Sequence, residues 1–152
     1  MSLQSHQVEH DEVKQEVAPK RISPIFATAS LQGKKILVID DDPDLRLGLH
    51  IRLRANYFDT CFAGDAESAI NVAIKQMPDL IILDLGLPGD DGYAVMERLK
   101  AFPGLAGVPV IVLSGRDRYT HEKRVLEAGA RQFWEKPVDN DTLLRGIRHL
   151  LR

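Results

Sequence analysis

Three aliphatic runs and one mixed run in this chain each lead into residues able to do chemistry. Ile36–Ile39 runs into Asp40-Asp41-Asp42, Leu80–Leu83 into Asp84, Val110–Leu113 into Ser114, and Gln132–Glu135 into Lys136. Carboxylates gathered at one place repel one another and resist ionisation unless a cation sits among them. Oxygen ligands drawn from carboxylates, a carbonyl and water suit Mg²⁺, which keeps part of its hydration shell and pairs naturally with phosphate. Asp84 stands alone ahead of the Gly86-Leu87-Pro88-Gly89 loop, which makes it the candidate nucleophile toward a phosphoryl group arriving from solvent. Phosphoryl transfer needs positive charge around the equatorial oxygens. Mg²⁺ and Lys136 would supply it, with the Ser114 hydroxyl and loop amides as further donors.

Such residues act together only if the chain brings them to one edge. From Lys34 onward, short apolar runs alternate with helical stretches, the pattern of a parallel α/β sheet. Ile36–Ile39, Leu80–Leu83 and Val110–Leu113 are continuous rather than alternating, as expected of central strands covered on both faces. Phe58–Ala63 and Gln132–Glu135 are more mixed and suit edge strands. Five helices lie between and after the five strands. Asp42-Pro43 opens the first, with Leu45, Leu49 and Leu53 on one face. Asp65 opens the second, where Ala66, Ala69, Ile70, Ala73 and Ile74 recur at helical spacing before Pro78. The third spans about 92–101, the fourth about 120–128 before Gly129, and the fifth 139–151 with Leu143, Leu144, Ile147, Leu150 and Leu151 as its stripe. In a parallel sheet the carboxyl ends of the strands share one edge, where ligands of open α/β sheets bind.

Composition narrows the function further. The 152 residues include 20 Lys and Arg against 22 Asp and Glu, a net charge of −2, which is too balanced for direct nucleic-acid binding. The single cysteine, Cys61, has no intrachain partner, and no apolar run approaches the roughly 20 residues of a spanning helix. The polar N-terminus, with His6, Glu9, His10, Asp11 and Glu12, does not read as a signal peptide, so a cytoplasmic location without membrane contact is expected. Residues 1–33 mix charges with Pro19 and Pro24 and read as a flexible extension, with a marginal helix seeded by Val13 and Val17.

Four segments in order carry a family likeness: Ile-Leu-Val-Ile-Asp-Asp-Asp-Pro at 36–43, Asp-Leu-Ile-Ile-Leu-Asp-Leu-Gly-Leu-Pro at 79–88 with Gly92 following, Val-Ile-Val-Leu-Ser-Gly at 110–115, and Phe-Trp-Glu-Lys-Pro at 133–137. Here the sequence resembles the response-regulator receiver domains of two-component signal transduction, over 34–152. The resemblance implies a flavodoxin-like, doubly wound three-layer sandwich with strand order 2-1-3-4-5. It implies that Asp84 accepts a phosphoryl group from a sensor histidine kinase or phosphotransfer protein, forming an aspartyl phosphate. Mg²⁺ would then be held by Asp41, Asp84 and the Gly86 carbonyl, with Asp40 acting through water. Lys136-Pro137 would be a cis peptide. Ser114 and Phe133 would form the switch, and helix 4, strand 5 and helix 5 would dock a downstream effector or a second copy. The implied activity is a signalling switch with self-phosphotransfer and slow autodephosphorylation, not turnover of a metabolite.

Two positions depart from the common pattern. Gly86 has no side chain two residues past the nucleophile, and Arg116 places a long cation two past Ser114, positions that in this family tune phosphoryl lifetime. Phe133 lacks the hydroxyl of a tyrosine switch. Two rival functions are weaker. A haloacid-dehalogenase-type phosphatase would read Asp40-Asp41-Asp42 as its Asp-x-Asp motif, but position 44 is Asp44, only 16 residues follow Lys136, and Asp84 is left without a role. A pseudo-receiver scaffold should have lost one of Asp41, Asp84 and Lys136. Asp42 and Asp65 read as helix caps, Trp134 as packing, and Cys61 as a small buried group. The histidines show no metal spacing. Arg145, Arg148 and Arg152 suit the last helix's dipole without a ligand.

Overall fold

In the computed structural model, residues 31–88 and 92–152 are described. The expected mobile extension, including the helix near Val13 and Val17, falls for residues 1–30 outside them. Gly33–Arg152 forms one unit. Its elements in chain order are β1 (Lys35–Ile39), α1 (Pro43–Ala55), β2 (Asp59–Ala63), α2 (Ala66–Gln76), β3 (Leu80–Leu83), α3 (Gly92–Ala101), β4 (Val110–Ser114), α4 (Arg118–Glu127), β5 (Gln132–Glu135) and α5 (Asn140–Leu151). The sheet is parallel throughout, in the order β2-β1-β3-β4-β5.

The aliphatic runs take the centre because only there are both faces of a strand dry. Ile36–Ile39, Leu80–Leu83 and Val110–Leu113 are all buried. Successive strand side chains point to opposite faces. Leu37, Ile39, Ile81, Leu83, Val110, Val112 and Phe133 accordingly pack in one cluster with the apolar residues of α2, α3 and α4. The intervening Ile36, Val38, Leu80, Ile82, Ile111 and Leu113 are buried on the other face, which α1 and α5 cover through Leu49, Leu53, Leu143, Leu144 and Ile147. A register slip of one residue would exchange these two sets, so the pairing is strongly specified.

Several boundaries differ from the sequence expectation. Phe58 is buried but precedes β2, and Cys61 on that edge strand is half-buried. Leu45, Leu150 and Leu151 are half-buried and Ile74 is 38% exposed, so the buried stripes of their helices are narrower than the spacing suggests. α2 ends at Gln76 through Met77 in the left-handed conformation. α4 begins two residues early because Asp117 accepts from the N–H groups of Tyr119 and Thr120 as its cap.

Asp42, Asp65, Asp117 and Asp139 cap α1, α2, α4 and α5. Hydrogen bonds hold three of these carboxyls below their ordinary value: from Ser68 N–H to Asp65, from the Thr120 side chain to Asp117, and from Thr142 N–H to Asp139. A carboxyl with a depressed folded-state pKa stabilises above its unfolded value, and that contribution is lost as pH falls through the folded one. Thermal unfolding midpoints are therefore expected to drop on acidification below about pH 4. Asp139→Ser, which caps without titrating, should flatten that limb, and an unchanged limb would assign it to other groups.

Candidate functional site

β1 and β3 are adjacent although α1, β2 and α2 separate them in sequence, and this adjacency builds the site. Asp84 N–H donates to Ile39 O at 2.9 Å, setting the end of β3 beside the end of β1. Asp40 is 2% exposed and Asp84 8% exposed, while Asp41 is exposed. One carboxylate oxygen from each of the three lies within 4.8 Å of the others. Lys136 reaches in from the end of β5 and donates to Asp40 Oδ2 at 2.7 Å, with Asp84 Oδ2 at 3.4 Å.

The remaining contacts fix these groups in place. Asp40 Oδ1 accepts from Asp42 N–H at 2.9 Å, and the Asp40 carbonyl accepts from Arg46 Nη1 at 2.6 Å. Asp84 Oδ1 accepts from Gly86 N–H at 3.1 Å, so the loop that follows the strand folds back onto the carboxylate. Ser114 is fully buried, and its Oγ accepts from Arg116 N–H at 3.1 Å, leaving the hydroxyl proton to donate elsewhere. Lys136 N–H donates to Ser114 O at 2.8 Å, and the Lys136-Pro137 peptide is cis. Phe133 is 3% exposed and faces the core.

The electrostatics follow from burial. Desolvation pushes the Asp40 carboxyl up from its usual value, with the Asp84 charge adding to the rise and the bonds from Lys136 and Asp42 opposing it. Burial also works against the Lys136 charge, but the Asp40 hydrogen bond and the charges of Asp84 and Asp40 outweigh it, and its pKa rises. Three carboxylates against one ammonium leave a formal charge of −2 at the strand ends. Hard oxygen donors and two uncompensated negative charges fit a divalent cation of the Mg²⁺ class.

Two residues support the site through contacts that the sequence motifs do not show. A Cβ at Gly92 would lie 2.7 Å from Leu85 Cα and 3.0 Å from the Asp84 carbonyl oxygen, while Gly92 N–H donates to Leu85 O at 2.9 Å. The start of α3 therefore rests directly on the backbone of the candidate nucleophile. Gly92→Ala is expected to destabilise the fold by about 1–3 kcal/mol, read from the denaturant midpoint, since the nearest obstacles are backbone atoms that cannot swing aside, with the Leu85 side chain beside them. A midpoint within error of the parent would mean that this loop yields freely. Arg118 is the other residue. Its guanidinium lies 5.4 Å from the Phe133 ring centroid and 5.8 Å from that of Trp134, and it pairs with Glu122 at 2.6 Å and Glu135 at 3.5 Å. The Glu122 pair has helical i,i+4 spacing; the tie to β5 has no sequence signal.

Comparison with known proteins agrees with this architecture. Caulobacter vibrioides response regulator PleD is 36% identical over 119 residues, covering 78% of this chain and 26% of PleD. The DNA-binding response regulator MtrA of Mycolicibacterium smegmatis is 38% identical over 119 residues, covering 78% of this chain and 51% of MtrA. The chain thus spans about half or less of the length of these relatives. The receiver domain of sensor histidine kinase PA1611 from Pseudomonas aeruginosa, solved with a magnesium ion coordinated in its active-site cleft, superposes with a TM-score of 0.72 at 26% identity, covering 78% of this chain and 98% of that one. No helix among the described residues is long and apolar enough to cross a membrane. Residues 36–148 match the response regulator receiver domain family, and the chain belongs to that family of two-component signalling domains.

Proposed function

We propose that this chain is a phosphorylation switch in which Asp84 takes a phosphoryl group from the phosphohistidine of a sensor kinase or phosphotransfer protein. The observation that carries the reading is the Lys136 ammonium set between Asp40 and Asp84, beside a third carboxylate on Asp41. Asp41, Asp84 and the Gly86 carbonyl would hold Mg²⁺, with Asp40 acting through water. When bound, the ion supplies charge that offsets the carboxylates and the phosphoryl oxygens. An Asp84 oxygen forms the new P–O bond as the donor's P–N bond breaks, and the imidazole leaves with the bonding pair. Lys136 and the Ser114 hydroxyl donate to the phosphoryl oxygens, and the Gly86 amide keeps the attacking carboxylate oriented.

The output would pass through the α4-β5-α5 face to an effector or a second copy. Ser114 and Lys136 are joined through the backbone, and Phe133 and Glu135 share Arg118 with α4. A change at the phosphoryl group is thereby linked to that face by packed contacts rather than a flexible loop. Intact mass after incubation with a small phosphodonor tests the reading. One added phosphoryl mass with Mg²⁺ and none without it is expected; failure to gain mass, together with failure to retain a beryllium fluoride mimic, would overturn it.

A further inference from the structure

The open flank between β5 and α5 holds a cavity that the phosphorylation chemistry does not use. It has a volume of about 300 Å³ and is lined by Gln132 and Trp134 of β5 and by Thr142, Arg145, His149 and Arg152 on the α5 side. We infer that this groove binds an acidic, extended peptide segment of a partner protein. The inference rests on the receiver reading in one respect: it assigns a partner chemistry to part of the α4-β5-α5 face.

Charge decides the class of ligand. Two guanidinium groups and an imidazole line the cavity, and no carboxylate does. Among the described residues neither Arg145 nor Arg152 has an ion-pair partner, unlike Arg118, which pairs with Glu122 and Glu135. Arg145 acts on the Asp139 carboxyl and shares a neighbouring cavity with Asp141, but no carboxylate lines this one, and the guanidinium groups on its wall are set for carboxylates, which they bind in bidentate geometry. Arg152 at the end of α5 suits its dipole, but that requires no cavity and no indole beside it, and Arg145 stands mid-helix.

Shape gives a second, independent argument. A Cβ at Gly146, in the middle of α5, would lie 2.5 Å from Gln132 Oε1 and 3.5 Å from Trp134 Nε1. Glycine in a helix interior costs about 1 kcal/mol relative to alanine. Here it leaves room for the Trp134 indole, which donates to Gln132 Oε1 at 2.9 Å, to lie along α5 as the apolar part of the wall. β5 is also the edge strand, so its outer edge has no strand partner among the described residues. A peptide running beside β5 would meet an unpaired strand edge, an indole and two arginines, which suits alternating apolar and acidic side chains.

The other occupants fit less well. A second copy docking the same flank about a two-fold axis would set the cationic walls against each other. Duplex nucleic acid needs a broader basic footprint than two arginines on a chain of net charge −2.

Trp134 is the chain's only tryptophan, so its emission reports the groove directly. The full chain would be titrated with a short peptide of alternating Glu and Val, with its Gln-Val counterpart, and with duplex DNA. Saturable change with the Glu peptide alone is expected, weakened about tenfold or more by Arg145→Gln with Arg152→Gln, and left unchanged by Lys75→Gln on α2. Equal response to the Gln peptide, preference for DNA, or an unaffected double variant would overturn the inference. Because the titration uses unphosphorylated protein, its failure is separate from failure of phosphoryl uptake, which intact mass reads on the same samples.

Discussion

Asp84→Asn is expected to abolish the phosphoryl adduct while leaving the fold and the other acidic side chains in place. The amide has nearly the shape of the carboxylate and can still accept from Gly86 N–H through its oxygen, so the loop keeps its anchor. What it loses is the anionic oxygen that must form the P–O bond, and no neighbour can replace it. Asp40 has both oxygens engaged, by Asp42 N–H and by the Lys136 ammonium, and Asp41 is exposed to solvent at the edge of the cluster. Adduct formation, read by intact mass, should fall by at least about a hundredfold, the scale on which loss of a nucleophile is felt. An adduct of undiminished yield in Asp84→Asn would move the acceptor to another residue and overturn the assignment.

Lys136→Met should be the next most damaging change, and it acts on rate and stability together. Among the described residues the ammonium ion-pairs with the carboxylates of both Asp40 and Asp84. Its removal takes a fixed positive charge from the place where transferred phosphoryl oxygens would sit, which should slow adduct formation by about 10²–10³ at saturating Mg²⁺. A rate within about threefold of the parent would show that Lys136 does not touch the phosphoryl group. The stability effect has a defined sign. A lysine whose folded-state pKa is raised contributes stability that is fully present below its unfolded value and is lost as pH rises through the folded one. At neutral pH that contribution is intact in the parent and missing in Lys136→Met, so without Mg²⁺ the unfolding midpoint should fall. Acidification should narrow the gap, because burial already favours the protonated form of Asp40. A gap that widens toward low pH would contradict this account.

Much of the architecture was written in local pattern. Dry strands read as unbroken aliphatic runs because both faces are covered, and Asp42, Asp65 and Asp139 announce their helices because a carboxylate is a good acceptor for orphan N–H groups. Where local pattern failed, solvent access or a competing cap decided. Ile74 and Leu150 have helical spacing, yet both keep access to solvent, and Asp117 took the cap three residues ahead of the expected start of α4.

The site divides in the same way. That Asp40, Asp41, Asp84, Ser114 and Lys136 each follow a strand is a property of the sequence, and so is their shared edge once the sheet is parallel. Which of them touch is a property of the tertiary structure. Placing β1 against β3 puts Asp40 beside Asp84, and the reach of one long side chain from β5 spans the 96 positions between Lys136 and Asp40. The burial of Asp40, the exposure of Asp41, the backbone seat of Gly92 and the tie from Arg118 to Phe133 all depend on distances between elements, and no local periodicity encodes those. The sequence by itself thus determined the strands, the caps and the chemistry available at one edge. The packing of helices on both faces decided which charges meet, because desolvation and Coulomb forces act through space and not along the chain.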